Sequence, residues 1–175
     1  FEKGGASSSK AASYHLTLLA KNRTGFQNLI KLASAASLEG FYFKPRIDKE
    51  ILEKFNEGIV CLSGCASSEF SRTVIKGIDT SEVEKEAREI AGWFHGVFGD
   101  RYFIEIMNND VEIQRMQLES AVTIANRMGL PLVATSDTHY VDPEDAEAQD
   151  IMLCINTGRF RTDTSRMKME NDQFF

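Results

Sequence analysis

Four short apolar segments, separated by stretches with helical periodicity, constrain the fold of this chain more than any other feature. They occupy residues 14–20, 59–64, 101–106 and 130–137. Each has the length and apolar content of a buried β-strand. Strands that alternate with helices in this way are typical of an α/β protein. The sequence therefore predicts about four parallel strands with surrounding helices.

The helices between these strands are predicted from capping patterns and from apolar residues at helical spacing. Thr24 with Gln27, and Ser81 with Glu84, form capping-box patterns that place helix starts at Thr24 and Ser81. Residues 66–76 are also expected to be helical. Further helix boundaries are expected at Asp48, Asn109 or Asp110, Met128 and Asp142.

Parallel strands joined by helices form either a closed barrel or an open, doubly wound sheet. None of the four predicted strands is followed by a G-x-G-x-x-G or P-loop motif. The absence of these motifs disfavours an open sheet that binds nucleotides. A regular (β/α) barrel needs more strands than this chain supplies. If the barrel interpretation is right, the chain forms only part of one.

Charge and cysteine content exclude several classes of protein. The formal net charge is −6, which argues against a broad basic face for nucleic acid. Cys61, Cys65 and Cys154 lack the spacing of a disulfide framework, which indicates a reducing, cytoplasmic setting. No apolar run is long enough to span a bilayer, so no membrane partner is expected. The N-terminal residues do not read as a signal peptide, and GGASSSK is expected to be a surface loop.

Asp137 and His139 stand at the end of the fourth predicted strand. Residues two apart in a strand point to the same side, so their side chains are expected to project together. The C-terminal end of a strand is also where α/β folds place functional groups. A carboxylate beside an imidazole suits zinc, manganese or iron. The alternative is a turn Asp beside a surface His, and the D-x-H pattern alone does not decide between them.

Cys65 and His15 are weaker candidates from spacing alone. Cys65 follows the second strand and precedes a predicted helix, a place where a thiolate can be stabilised. Cys61 and Cys154 lie inside apolar stretches and are expected to be packed in the core. His15 precedes its strand, whereas functional groups usually follow one. A Cys–His nucleophilic site made of Cys65, His139 and Asp137 is disfavoured, because nothing in the sequence defines an oxyanion hole.

Several segments together resemble the polymerase and histidinol phosphatase (PHP) domain of bacterial DNA polymerase III alpha subunits. They are YHLTLLAKNRTGFQNLIKL, FYFKPRID, CLSGCASSE, GLPLVATSDTHYVDPEDAEAQDIMLCINTG and MENDQFF. The resemblance covers nearly the whole chain. It implies a distorted (β/α) barrel of seven strands, of which residues 1–158 would be the C-terminal portion. Residues 159–175 would begin the connection towards the polymerase palm domain.

The resemblance also implies a set of metal ligands. The family's motifs match His15, Cys65, Asp137 and His139, which would bind a cluster of divalent ions such as zinc or manganese. The family's His-x-His motif, its Asp-His motif and a glutamate ligand are expected upstream of Phe1. The ligand set within this chain would therefore be incomplete.

The function that the resemblance implies is metal-dependent phosphoester hydrolysis within a replicative polymerase. A 3′–5′ exonuclease or a pyrophosphatase activity would fit, and the palm domain that polymerises DNA would lie elsewhere. DNA and other subunits of the polymerase III holoenzyme would be the partners. One alternative is a scaffold without catalysis that docks the proofreading exonuclease subunit. Another is a separate PHP phosphatase, which the segment after His139 disfavours.

Overall fold

A four-stranded sheet organises the described part of the chain. The computed structural model of the protein describes residues 13–78 and 80–175, so the predicted surface loop GGASSSK lies outside the described residues. The sheet has the order β1-β2-β3-β4. The strands are β1 (Thr17–Ala20), β2 (Ile59–Leu62), β3 (Tyr102–Met107) and β4 (Leu132–Thr135).

Helices connect these strands, which confirms the predicted α/β class. Short 3₁₀ turns at Gly99–Arg101 and Pro143–Asp145 complete the described elements. The α-helices are α1 (Arg23–Leu38), α2 (Lys49–Lys54), α3 (Glu69–Val74), α4 (Ser81–Phe98), α5 (Glu112–Met128) and α6 (Ala146–Thr157). The mixed sheet is consistent with part of a (β/α) barrel.

The predicted parallel orientation is correct for β2, β3 and β4 but wrong for β1. Strand β3 pairs in parallel with both β2 and β4. Strand β1 instead runs antiparallel to β2, with Thr17 opposite Leu62 and Ala20 opposite Ile59. An apolar segment has the same composition whether its strand runs parallel or antiparallel to its neighbour. The sequence pattern therefore carries no information about strand direction.

Helix starts differ from the predictions by a few residues. The N-cap of α1 is Asn22 rather than Thr24, and the Asn22 side chain accepts a hydrogen bond from the Gly25 amide. The N-cap of α4 is Thr80 rather than Ser81. Helix α3 begins only at Glu69, so Cys65 lies in the preceding turn and not at a helix terminus. Several neighbouring polar residues can cap a helix, and packing selects among them.

The main core lies between the sheet and the helices that pack on it. It is built from fully buried aliphatic and aromatic side chains of β2, β3, α3, α4 and α5. A smaller cluster of Val111, Tyr140 and Phe174 joins the C-terminal residues to the loops after β3 and β4. Within the described ranges, no helix is both long and apolar enough to cross a membrane.

Candidate metal site

The reversed direction of β1 brings His15 next to the loop that follows β2. Thr17 lies opposite Leu62, so the residues before β1 continue alongside the residues after β2. The His15 amide donates a hydrogen bond of 3.2 Å to the Ser67 carbonyl, and His15 forms a bridge with Ser68. His15 precedes its strand and yet lies at the edge where the parallel strands end. His15 therefore still lies where α/β folds place functional groups, at the carboxyl ends of the parallel strands.

Gly64 allows the loop after β2 to pack closely against His15. Its backbone has a φ of +88°, a conformation that L side chains rarely adopt. A Cβ at this position would lie 2.8 Å from the Ser68 Cβ and 3.1 Å from the His15 carbonyl oxygen. Glycine therefore permits the close approach that brings Cys65 towards His15. A glycine directly before a candidate ligand, at the end of a strand, is the sequence signal for this role.

Cys65 and His15 contact each other although 50 positions separate them. The Cys65 Sγ lies 3.6 Å from the His15 Nδ1. Zinc–sulfur and zinc–nitrogen distances of about 2.3 and 2.0 Å, at a tetrahedral angle, separate sulfur and nitrogen by about 3.5 Å. The observed distance also suits a hydrogen bond between thiol and imidazole. The donor types and their separation therefore fit a zinc ion.

Asp137 and His139 form a second pair, at the end of β4. The His139 Nδ1 lies 2.7 Å from the Asp137 backbone carbonyl and 4.0 Å from the Asp137 Oδ1. A carbonyl only accepts hydrogen bonds, so Nδ1 carries the proton and Nε2 of the neutral ring keeps its lone pair. This tautomer leaves the Nε2 lone pair available to a metal, with the other nitrogen oriented by a backbone oxygen.

The C-terminal residues hold the His139 loop in place. The His139 amide donates a hydrogen bond of 2.7 Å to the Phe174 carbonyl, and the Tyr140 amide donates to the same oxygen at 3.3 Å. The Phe174 ring meets the His139 ring edge-on, with centroids 5.6 Å apart. Asn109 receives a bond from the Asp137 amide and donates one to the Gln173 carbonyl. No local pattern in the sequence predicts this contact.

The two pairs do not merge into a complete cluster. In residues 13–78 and 80–175, no group of three or more His, Cys, Asp or Glu side chains is arranged to hold one metal ion. The structure thus brings His15 to Cys65 and Asp137 to His139, and it does not bring all four together.

The other two cysteines are packed in the core, as predicted. Cys61 and Cys154 are buried, and neither forms a disulfide. Burial, and secondarily the charge of Glu105, raise the pKa of the Cys61 thiol far above its usual range. A thiol held protonated in this way is a poor metal ligand, which disfavours Cys61.

A buried carboxylate that the sequence analysis did not single out lies beside the candidate ligands. Glu105 of β3 is only 2% exposed. It accepts hydrogen bonds from the Gly64 amide and from the Thr135 hydroxyl. A glutamate inside the apolar run RYFIEI is the sequence signal, since charged residues are seldom fully buried without a specific partner.

A cavity of about 600 Å³ opens next to His15. The side chains of Lys44, Arg46 and Lys49 line it, and Lys49 also pairs with Glu69 at 3.0 Å. Arginine and lysine are the side chains that bind phosphate most often in proteins. Asp48 and Glu69 also line the cavity, so it combines a candidate metal ligand with basic and acidic side chains.

Comparison with known proteins identifies the family. A family model for the PHP domain matches residues 3–109, which include His15 and Cys65. The DNA polymerase III subunit alpha of Borreliella burgdorferi is 44% identical over 163 residues, covering 93% of this chain and 14% of that protein. The subunit alpha of Treponema pallidum is 41% identical over the same share of each chain.

A third relative extends the match to the whole chain. The DNA polymerase III subunit alpha of Saccharopolyspora erythraea is 37% identical over 177 residues, covering 100% of this chain and 14% of that protein. The chain thus spans about one seventh of the length of these curated relatives. It belongs to the PHP domain family and is homologous to the PHP portion of bacterial DNA polymerase III alpha subunits.

Proposed function

We propose that this chain is the metal-binding, phosphoester-hydrolysing part of a bacterial replicative polymerase. The observation that carries the proposal is the pairing of Cys65 with His15 at the sheet edge where Asp137 and His139 follow β4. Residues 1–158 would belong to the PHP domain, and residues 159–175 would lead towards the polymerase palm. The full-length protein would synthesise DNA in the cytoplasm with other holoenzyme subunits.

Zinc suits the donor set better than manganese. A thiolate and an imidazole are preferred by zinc, whereas manganese favours carboxylate and water oxygens. Cys65 and His15 would bind one ion, and Asp137 and His139 would contribute to the same cluster. By the resemblance, other parts of the full-length protein would supply the remaining ligands. In the bound state, the cluster would supply an activated water and would offset charge on phosphate oxygens.

The residues of this chain would also orient the substrate. His139 would present its Nε2 atom to the metal cluster, because the Asp137 carbonyl accepts a hydrogen bond from Nδ1. Lys44 and Lys49 line the cavity beside His15, and Lys44 would provide positive charge for a phosphate group, since Lys49 pairs with Glu69. A DNA 3′ end or inorganic pyrophosphate is the substrate class that this combination favours.

Metal content in the full-length protein tests the proposal. The protein, prepared with zinc and manganese present, should bind roughly two or three divalent ions per chain. Asp137→Ala and Cys65→Ser should each lower that number, measured by elemental analysis. Cys61→Ser is the matched control, because Cys61 is buried with a raised thiol pKa. It should leave the metal content unchanged, and equal losses for Cys61→Ser and Cys65→Ser would contradict the assignment of Cys65.

Activity is measured on the same proteins. Release of the 3′ nucleotide from DNA and hydrolysis of inorganic pyrophosphate should both be assayed. At least one should fall in Asp137→Ala while DNA synthesis continues, since the palm would be untouched. Hydrolysis that is equal in the variant and the parent would indicate a contaminating nuclease or another site.

A scaffold that docks the proofreading exonuclease subunit is the second candidate. Both candidates allow an incomplete ligand set among the described residues, so bound metal separates them. Full-length protein without bound metal under metal-replete conditions, together with retained binding of the exonuclease subunit, would favour it. The relatives are named as polymerase subunits, which disfavours a separate phosphatase.

A further inference from the structure

Glu105 contacts three separate segments that each carry a candidate ligand. We propose that Glu105 is a positioning residue that holds these segments in register at the candidate metal site. The inference rests on the proposed function for its purpose. It goes beyond that function because it assigns a role to a side chain that binds no metal itself.

The contacts of the Glu105 carboxylate define the role. Its Oε2 accepts a hydrogen bond of 3.1 Å from the Gly64 amide, directly before Cys65. Its Oε1 accepts one of 2.8 Å from the Thr135 hydroxyl, two residues before Asp137. The Thr17 hydroxyl, two residues after His15, lies 3.5 Å from Oε2, at the outer limit of a hydrogen bond. One carboxylate thus reaches all three ligand-bearing segments.

The topology explains why such a connection matters. In the described sheet, β1 pairs with β2, and β4 pairs with β3. The two outer strands therefore gain main-chain hydrogen bonds from one neighbour each. Glu105 lies on β3, opposite Val133 of β4, and its side chain also reaches β1 and the loop after β2. It thereby links β1 and β4, the outer strands of the described sheet, which do not pair with each other.

Burial separates positioning from direct binding. Glu105 is 2% exposed, and each of its two oxygens already accepts a hydrogen bond. A buried carboxylate that protein donors hold at both oxygens is suited to fixing the segments that carry those donors. Replacing it with an apolar side chain would leave the buried Gly64 amide without an acceptor, which is costly in a protein interior. The loop that carries Cys65 would then shift to find another partner.

The amide of glutamine can replace these bonds, and leucine cannot. In Glu105→Gln, the Oε1 can accept from the Gly64 amide while the Nε2 donates to the Thr135 hydroxyl. In Glu105→Leu, side-chain size is roughly kept and both hydrogen bonds are lost. The pair of variants therefore separates hydrogen-bonded positioning from the effect of the negative charge.

Zinc affinity of the full-length protein, measured by competition with a chromophoric chelator, tests the proposal. Glu105→Leu should weaken zinc binding about tenfold or more, the usual size for residues that orient ligands. Glu105→Gln should restore most of the affinity. Unchanged affinity in Glu105→Leu would overturn the proposal. Equal losses in both variants would also overturn it, because they would point to charge or to direct binding.

Arg101→Met is the matched control for lost stability. Arg101 donates hydrogen bonds of 2.7 and 2.6 Å to the Asn56 and Ile59 carbonyls, at the opposite edge of the same sheet. This variant should lower the melting temperature and leave zinc affinity unchanged. A loss of zinc affinity in Arg101→Met as large as in Glu105→Leu would show that general destabilisation is the cause, which contradicts a positioning role.

A metal-free measurement separates this proposal from the proposed function. If the parent protein bound no zinc, the proposed function would be contradicted. The contacts of Glu105 would still be testable in the metal-free protein. The alkylation rate of Cys65, followed by peptide mapping after chelation, should then rise about threefold or more in Glu105→Leu, because the loop opens more often. It should stay near the parent value in Glu105→Gln. Equal rates in all three proteins would overturn the positioning role.

Discussion

Gly64 shows how a single residue determines the candidate site. It combines a φ of +88° with a close approach to Ser68 and to the His15 carbonyl. His15 alone was a weak candidate from its place in the sequence, and Cys65 had no visible partner. The contact between them depends on a backbone conformation that glycine adopts at little cost. The contact between two candidate ligands therefore depends on Gly64, a residue without a functional side chain.

Gly64→Ala should lower the free energy of unfolding by about 2 kcal/mol or more. A left-handed backbone costs an L residue about 1–2 kcal/mol, and the added Cβ would also clash with Ser68. Urea denaturation measures the change. Gly96→Ala, in α4 with open space around the new Cβ, is the control and should be neutral or stabilising. A neutral Gly64→Ala would contradict the close packing at His15.

Helix boundaries show what packing adds at the scale of the element. The capping pattern predicted a start at Thr24, whereas α1 begins at Arg23 with Asn22 as its cap. The first turn of α1 packs tightly against the residue before β2, since a Cβ on Gly25 would lie 1.8 Å from the Gly58 carbonyl oxygen. The Asn22 cap and this packing therefore act on the same residue, Gly25. Local patterns indicate the helix but not its first residue.

Substitution of the two candidate caps distinguishes them. Asn22→Ala should lower the free energy of unfolding by about 1 kcal/mol, because the Gly25 amide loses its acceptor. Thr24→Ala should change it by less than about 0.5 kcal/mol, since Thr24 is exposed within the first turn. Thermal or urea unfolding of both variants gives the comparison. A larger loss for Thr24→Ala would restore the cap predicted from the sequence.

The C-terminal segment connects distant parts of the whole molecule. Arg166 donates a hydrogen bond of 2.9 Å to Asp150 of α6, and this contact holds the pKa of Asp150 below its usual range. Phe174 then packs with Val111 and Tyr140, and its carbonyl binds the His139 amide. A segment expected only as a connection towards the next domain thus contacts one of the candidate ligands.

Phe174→Ala should loosen the His139 loop. Loss of a buried phenylalanine costs about 3 kcal/mol, so exchange of the His139 and Tyr140 amides should accelerate about a hundredfold. Hydrogen exchange measured by mass spectrometry on the full-length protein resolves this. Phe175→Ala is the control, because the Phe175 side chain is 45% exposed. Equal exchange in the two variants would contradict a role for Phe174 in holding the loop.

Much of this architecture follows from the order of the amino acids alone. The four strands, the α/β class, the Asp48 cap of α2 and the end of α5 at Gly129 are all confirmed, whereas β1 and β4 are partly exposed and not buried as predicted. These features depend on residues within a few positions of one another, where backbone geometry and side-chain spacing dominate. The segments that resemble the PHP domain also lead to the family that the comparisons identify.

The direction of β1, the contact of His15 with Cys65 and the hydrogen bonds of Glu105 are properties of the tertiary structure. Each joins residues at least 30 positions apart. Such contacts depend on how complete elements pack and on which buried polar groups then need partners. A local pattern contains neither kind of information. This is why candidate ligands could be named from the sequence, while their partners appeared only in the folded chain.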